Sequence, residues 1–446
     1  MSYKRLIPGL MIVAALLPGR VAAQAHVHEE AGSGSQSAVR EVCAPVSAGC
    51  SVESYLLGIL ATRGVSVAMA SLDSLAAKDE EIRRDGHQYA HAIGINAFDG
   101  NEPVGPVFSR CTPAYQSGCY HGVIQSYFTH HIQMHGGQID VATINALCED
   151  QRGGDHWLLF QCAHGMGHGT YMIAGNQLPG ALEGCDLLVD DWERESCYGG
   201  VFMENIVAET VPHHSVGRPD LESATAHDDH TGHGAADQGD PHADHHAVPT
   251  LVGVADREPF PALKRDEPLY PCSVLEDRYL TSCYQMQTSA ILWFNGSDVP
   301  GAARACSQAP EDFRVICFQS LGRDVSSITM QDNRRAITLC NSAPVEYRPW
   351  CHMGYAKNLV DVTADPNDGF AYCRLLPAGE SKRICNVAIG EQIWVLADDP
   401  ARREQMCLSA EPDFRDACRI GAGIARPAAS ATVAPSSLFA SVRTND

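Results

Sequence analysis

The chain has 446 residues, 45% of them apolar, which is enough for two or three ordinary domains or for one long repeat array. Its 54 acidic side chains against 32 basic ones leave a formal charge of -22. So acidic a chain excludes nucleic acid and anionic membrane as partners held through charge, and it suits a soluble protein that attracts cations.

The N-terminus opens with Lys4 and Arg5, runs through the short apolar stretch Leu6 to Leu17, and reaches small-residue cleavage sites after Ala23 and Ala25. Residues 1–25 therefore read as a secretory signal peptide, too short to stay as an anchor, and no other stretch is long enough to span a membrane. The expected location is the periplasm or the exterior. Residues 26–42 read as a linker. Cleavage after either alanine leaves a histidine, His26 or His28, in third place, where it completes a square-planar nitrogen site for Cu(II) or Ni(II) with the free amine and two amides.

Eighteen cysteines in an exported chain predict disulfides. In order they form nine close pairs: Cys43/Cys50, Cys111/Cys119, Cys148/Cys162, Cys185/Cys197, Cys272/Cys283, Cys306/Cys317, Cys340/Cys351, Cys373/Cys385 and Cys407/Cys418. The first members of the last five pairs are 34, 34, 33 and 34 residues apart, and those starting at 111, 148 and 185 are 37 apart. A period of about 34–37 marks a repeat of two short helices and two turns. The text inside the units agrees. "CSQAPEDFRVICFQSLGRD", "CNSAPVEYRPWCHMGYAKN" and "CLSAEPDFRDACRIGAGIA" align without gaps, with an aromatic (Phe313, Tyr347, Phe414) and then an arginine (Arg314, Arg348, Arg415) before the second cysteine. The predicted fold is all-α: an α-solenoid of helical hairpins, each stapled by its own disulfide. The first cysteine ends helix A, and the second lies in the first turn of helix B.

Residues 43–209 form the N-terminal repeats. The gap from Cys43 to Cys111 is twice 34, so a cysteine-free unit lies between, with Asp85 where the second cysteine would stand. Counting from that position, His87 is at plus two and His91 at plus six. From Cys119, His121 is at plus two and Gln125 at plus six; from Cys162, His164 is at plus two and His168 at plus six. Glu204 continues the face in the next unit. Equivalent positions on successive B helices lie side by side, roughly 8–10 Å apart, so His87, His91, His121, His164 and His168, with Glu204 in support, are candidate metal ligands. The competing reading is a hydrogen-bonded polar ladder between repeats. Gly122, Gly165, Gly200 and Gly354 recur at plus three and predict close helix approach.

Residues 210–262 have no hydrophobic period and read as a disordered His/Asp insert. His213, His214, His227, His230, His233, His242, His245 and His246 predict weak metal binding there, against a plain solvated spacer. Residues 263–423 are the C-terminal stapled repeats, and 424–446 a disordered tail. The sequence has no His-Glu-x-x-His, no Cys-x-x-Cys-His, no glycine-rich nucleotide motif and no Gly-x-Ser-x-Gly. With thiols tied up in disulfides, imidazole ligands point to a divalent transition metal, Zn or Cu first, Ni or Fe next. Three functions stay open: capture, buffering or delivery of metal; a metalloenzyme using the histidine cluster; and a solenoid scaffold presenting its surface to a protein partner.

Overall fold

A computed structural model describes residues 51–102, 104–134, 140–152, 156–210 and 259–426. Cys43, Cys50, His26, His28, the eight insert histidines and most of the tail lie outside the described residues.

The described chain is all-helical. Three helices lead in: α1 (Val52–Arg63), α2 (Val65–Ala76) and α3 (Glu80–Arg84). Long B helices then alternate with short A helices: α4 (Gly86–Ala97), α5 (Val104–Phe108), α6 (Gly118–Met134), α7 (Val141–Ala146), α8 (His156–Ile173), α9 (Leu178–Cys185) and α10 (Asp191–Thr210). Beyond the insert come α11 (Asp277–Phe294), α12 (Val299–Cys306), α13 (Glu311–Ile328), α14 (Asn333–Cys340), α15 (Arg348–Thr363), α16 (Pro366–Leu375), α17 (Glu380–Leu396), α18 (Pro400–Cys407) and α19 (Arg415–Gly421). The long helices form one continuous row, α4–α6–α8–α10–α11–α13–α15–α17–α19, each packed on the next. This is the predicted solenoid. No helix among the described residues is long and apolar enough to cross a membrane.

Local chemistry explains the hairpins. Asp332 caps α14 by accepting from the Arg334 and Arg335 amides at 2.9 and 3.0 Å, and Asp399 caps α18 in the same way. The short helices α9, α12, α14 and α18 end on the first cysteine of their pair. Pro310 then breaks the chain and Glu311 and Asp312 fill the first turn of α13, as the positive end of a helix favours.

Eight of the nine predicted pairs form as disulfides: Cys111–Cys119, Cys148–Cys162, Cys185–Cys197, Cys272–Cys283, Cys306–Cys317, Cys340–Cys351, Cys373–Cys385 and Cys407–Cys418. Their Cα–Cα distances are 5.4–5.9 Å. The place of the second cysteine needs correcting in five units. Because the B helix starts early, Cys162, Cys197, Cys283 and Cys317 are each the seventh residue of their helix and Cys385 the sixth. All five stand in the second turn, not the first as predicted. Cys119, Cys351 and Cys418 are the second, fourth and fourth residues of theirs, within the first turn. In the last of these units a separate tight turn, Pro412–Phe414, precedes the helix and delays its start. The bridges also lie in the core rather than on a reactive surface. Cys351, Cys385 and Cys418 are fully buried, as are Cys119, Cys197 and Cys317, and all belong to the main apolar cluster. These cysteines are structural staples and take no part in the site described below.

The recurring aromatic–arginine pair has a structural task. Phe313 stacks on Tyr284 of the preceding unit at 5.4 Å and Tyr347 on Phe318 at 4.6 Å. Arg314 and Arg348 donate back to the carbonyls of Ala309 and Ala343 at 2.9 and 3.0 Å, fixing the loop between helices.

Backbone meets backbone where the glycines fall. A methyl group on Gly200 of α10 would collide with the His164 carbonyl, and one on Gly167 of α8 with the Cys197 carbonyl. The reciprocal contact means that neither helix can carry a side chain there. Gly94 and Gly122 pair α4 with α6 in this way, Gly322 and Gly354 pair α13 with α15, and Gly390 and Gly421 pair α17 with α19.

The row also curls back on itself. Helix α8 touches α17, the His156 ring stacks on Trp394 at 4.5 Å, and the Tyr115 amide donates to the Val362 carbonyl at 3.2 Å. Trp192, Trp394 and Val395 form a separate apolar cluster, against which Trp157, Leu159 and Phe160 pack. The N-terminal repeats therefore meet the C-terminal ones at these contacts. Past the insert, the Phe260 amide donates to Gln177 at 3.0 Å and the Ala262 carbonyl accepts from Asn205 at 3.1 Å, so residues 260–262 are fixed against the N-terminal repeats.

Candidate metal centre

The repeat register places His87 and His91 on α4, His121 on α6, and His164 and His168 on α8. Plus two and plus six are one helical turn apart, so both face the same side of their helix. The five imidazoles form one connected cluster. Ring centres are 4.6 Å apart for His121–His164, 5.2 Å for His164–His168, 5.7 Å for His121–His168 and 5.7 Å for His87–His121. His91 reaches His168 at 5.2 Å, across the intervening helix α6, which shows how tightly the row curves here.

Three members can hold a metal ion. His121, His164 and His168 are all buried, and one ring nitrogen from each lies within 4.8 Å of the others. An ion bonded to imidazole at about 2.0–2.1 Å brings its ligands to roughly 3.3 Å from one another, so side-chain shifts of about an ångström close the site.

The hydrogen bonds leave one nitrogen of each of these rings available. His168 donates from Nδ1 to the Glu204 carboxylate at 2.8 Å, and Nε2 has no hydrogen-bond partner among the described residues. His121 Nε2 donates to Gln161 Oε1 at 2.5 Å, which leaves Nδ1 unpartnered. His164 Nδ1 faces α10, near Gly199 and the Ser196 backbone, and its Nε2 is unpartnered among the described residues. The acceptors at His168 and His121 fix one tautomer each, so these two rings turn a bare lone pair away from their anchors. This is the arrangement of metal-binding histidines, whose other nitrogen is held by a carboxylate or carbonyl. Gln125 Oε1, at plus six between His91 and His168 in the register, is a further buried oxygen without a partner among the described residues. A closed polar ladder would satisfy these atoms in pairs, and unsatisfied buried polar atoms are costly.

Electrostatics point the same way. Burial first, and the neighbouring imidazoles second, hold His121 and His164 well below the ordinary histidine value, so both are neutral at pH 7 and need lose no proton to bind metal. The consequence for the metal-free protein has a definite sign. In the unfolded chain both rings take protons near pH 6.5, whereas in the folded protein they do so only well below it. Their contribution to stability is therefore full above about pH 6.5 and is lost as pH falls from there through the depressed folded values. Glu195 and Asp361, raised to about 7 by burial, slope the other way. They do so equally in a His121→Ala/His164→Ala variant. Urea midpoints of the metal-stripped proteins at pH 7.5 and 5.0 should fall more steeply for the wild type than for the variant; equal slopes would contradict the burial argument.

Glu204, a ligand candidate in the sequence, sits one step further out as the carboxylate behind His168. His87 is the half-buried member, donating from Nδ1 to the Tyr115 carbonyl at 2.8 Å. Gln161 was not legible as part of the site; its signal is its place directly before Cys162, on the helix next to His121. His352 lies elsewhere, buried against the Tyr372 hydroxyl at 2.5 Å, and desolvation lowers it to about 4.

Fold and site together define a disulfide-stapled helical-repeat protein with a buried three-histidine cluster able to hold a metal ion. No family model matches the chain, and neither does any curated protein or solved structure.

Proposed function

We propose that this is an exported metal-binding protein that captures and holds a divalent transition metal, Zn or Cu, at His121, His164 and His168. The observation that carries this reading is the grouping of three buried imidazoles within reach of one ion, each with a bare ring nitrogen, while Gln161 and Glu204 anchor the opposite nitrogens of His121 and His168. Glu204, Gln161 and the Ser196 backbone act as the positioning groups. His91 and His87 extend the cluster, and Gln125 offers an oxygen.

Eight disulfides belong to an oxidising environment. With the signal-like N-terminus they support a periplasmic or secreted protein. Burial of all three ligands favours holding over turnover, because a substrate has to reach the ion. The His-rich segment after α10 then serves as a weak collector. It continues directly from the helix whose Ser196 and Glu204 hold His164 and His168. The N-terminal His26 or His28 and the insert histidines would bind loosely, since they lack the repeat register that groups His121, His164 and His168.

Titration calorimetry on the metal-stripped full chain, with Zn(II) and then Cu(II), tests the reading. One tight site per chain, separate from several weak ones, is expected. Only weak binding would end the proposal.

A further inference from the structure

The interior around the histidine cluster has two unlike ends. At one, Trp157, Phe160, Trp192, Trp394 and Val395 form an apolar plug, and Phe160 lies against His164 with ring centres 5.5 Å apart. At the other, a small cavity of about 40 Å³ opens at the seam where the curled array meets itself. Arg83, Arg84, His87 and Gln116 line one side, and Ser327 and Val362 the other. A volume of this size holds two or three waters.

His87 is the one member of the five that lines this cavity, and it is also the one that is not buried. Its ring centre is 5.7 Å from that of His121 and 6.0 Å from that of His91. The rim charges are compensated, Arg83 by Glu80 at 3.2 Å and Arg84 by Asp85 at 2.8 Å, so the arginines do not present bare positive charge to a cation. Tyr115, Gln116 and Ser117 take three successive left-handed conformations, φ 56°, 52° and 60°, and that run brings the Tyr115 carbonyl onto His87 Nδ1. Non-glycine residues are held so only where the surroundings impose it, which is common beside functional sites.

We infer that this cavity is the access port of the metal centre. A hydrated divalent cation enters at the seam, passes His87 in the cavity wall, and reaches the buried three-histidine set. The inference rests on the metal reading above and adds a direction to it. A cation sheds its water stepwise onto polar ligands along this route, whereas at the other end Trp157, Phe160 and Trp192 stand between the cluster and the outlying His156–Asp398 pair.

The test is kinetic. The full chain is stripped and loaded with one equivalent of Co(II), whose visible ligand-field absorption reports the site. Loading and extraction by EDTA are then timed. Ser327 is exposed, and S327W fills the cavity mouth from the helix opposite His87 without touching a ligand. It should slow both rates by at least about tenfold while stoichiometry stays the same. V362F is a second plug on a different helix, should S327W fail to give the wild-type circular dichroism. W157A loosens the apolar end and should leave both rates unchanged. Unchanged rates in a folded plug variant, or acceleration in W157A, would overturn the port. Absence of any bound Co(II) in the wild type would instead overturn the metal reading, and the port with it.

Discussion

Replacing His164 and His168 together with alanine is expected to abolish tight metal binding while the weak sites persist. The two rings are neighbours on one face of α8 and supply two of the three ligand nitrogens. Partners behind a metal ligand are alone worth about 10–100-fold in affinity, so loss of two ligands should cost upward of about 10⁴-fold. Alanine is the best helix former, and α8 is stapled to the preceding segment through Cys148–Cys162, so the helix itself should survive. Calorimetry and circular dichroism on the same samples separate loss of site from loss of fold. If the double variant keeps its tightest site, the histidines are a packing surface.

Gly200→Ala should have the largest effect on the fold of any single methyl addition near the centre. The added carbon meets the His164 backbone carbonyl, which cannot rotate away as a side-chain tip can. Overpacking of this kind costs about 1–3 kcal/mol, and a rigid backbone neighbour places the change at or above the upper figure. Because the displaced group belongs to His164, the metal centre should loosen with it. Gly58→Ala is the matched control: it lies mid-helix in α1 with no other described residue against it, and there alanine should stabilise by roughly 0.5–1 kcal/mol. Equal urea midpoints for the two variants would show that the α8–α10 contact is looser than described.

Much of this was legible because disulfide pairing and helical register are local. The cysteine spacing alone yields eight pairings that the structure forms, through to Cys340–Cys351, Cys373–Cys385 and Cys407–Cys418. It also extends the register to Asp85, so that His87 and His91 align in a unit with no cysteine at all. The start of the B helix is misplaced by a turn in the units of Cys162, Cys197, Cys283, Cys317 and Cys385. Where Pro310 and the acids after it stand, the helix begins well before its cysteine, whereas ahead of Cys418 the Pro412–Phe414 turn takes up that length. The Gly122, Gly200 and Gly354 contacts were readable at plus three, whereas their partners at other offsets, such as Gly167 and Gly322, were not. What the sequence could not show is the curl. The contacts of His91 with His168, of His156 with Trp394, and of Tyr115 with Val362 depend on the small rotation accumulated from unit to unit. No pattern within one repeat encodes that sum. The anchoring partners Gln161 and Ser196 were hidden for a related reason, since each acts on a histidine of a neighbouring helix.

X-ray absorption at the metal edge of the full chain, loaded with a single equivalent of Zn(II), tests the central claim most directly. The expected result is a first shell of nitrogen at about 2.0–2.1 Å with the outer-shell scattering of three imidazole rings. In the His164→Ala/His168→Ala protein, where only the weak sites remain, that ordered three-imidazole pattern should give way to mixed, oxygen-rich coordination. A shell of oxygen alone, or an imidazole pattern unchanged by the double substitution, would contradict it.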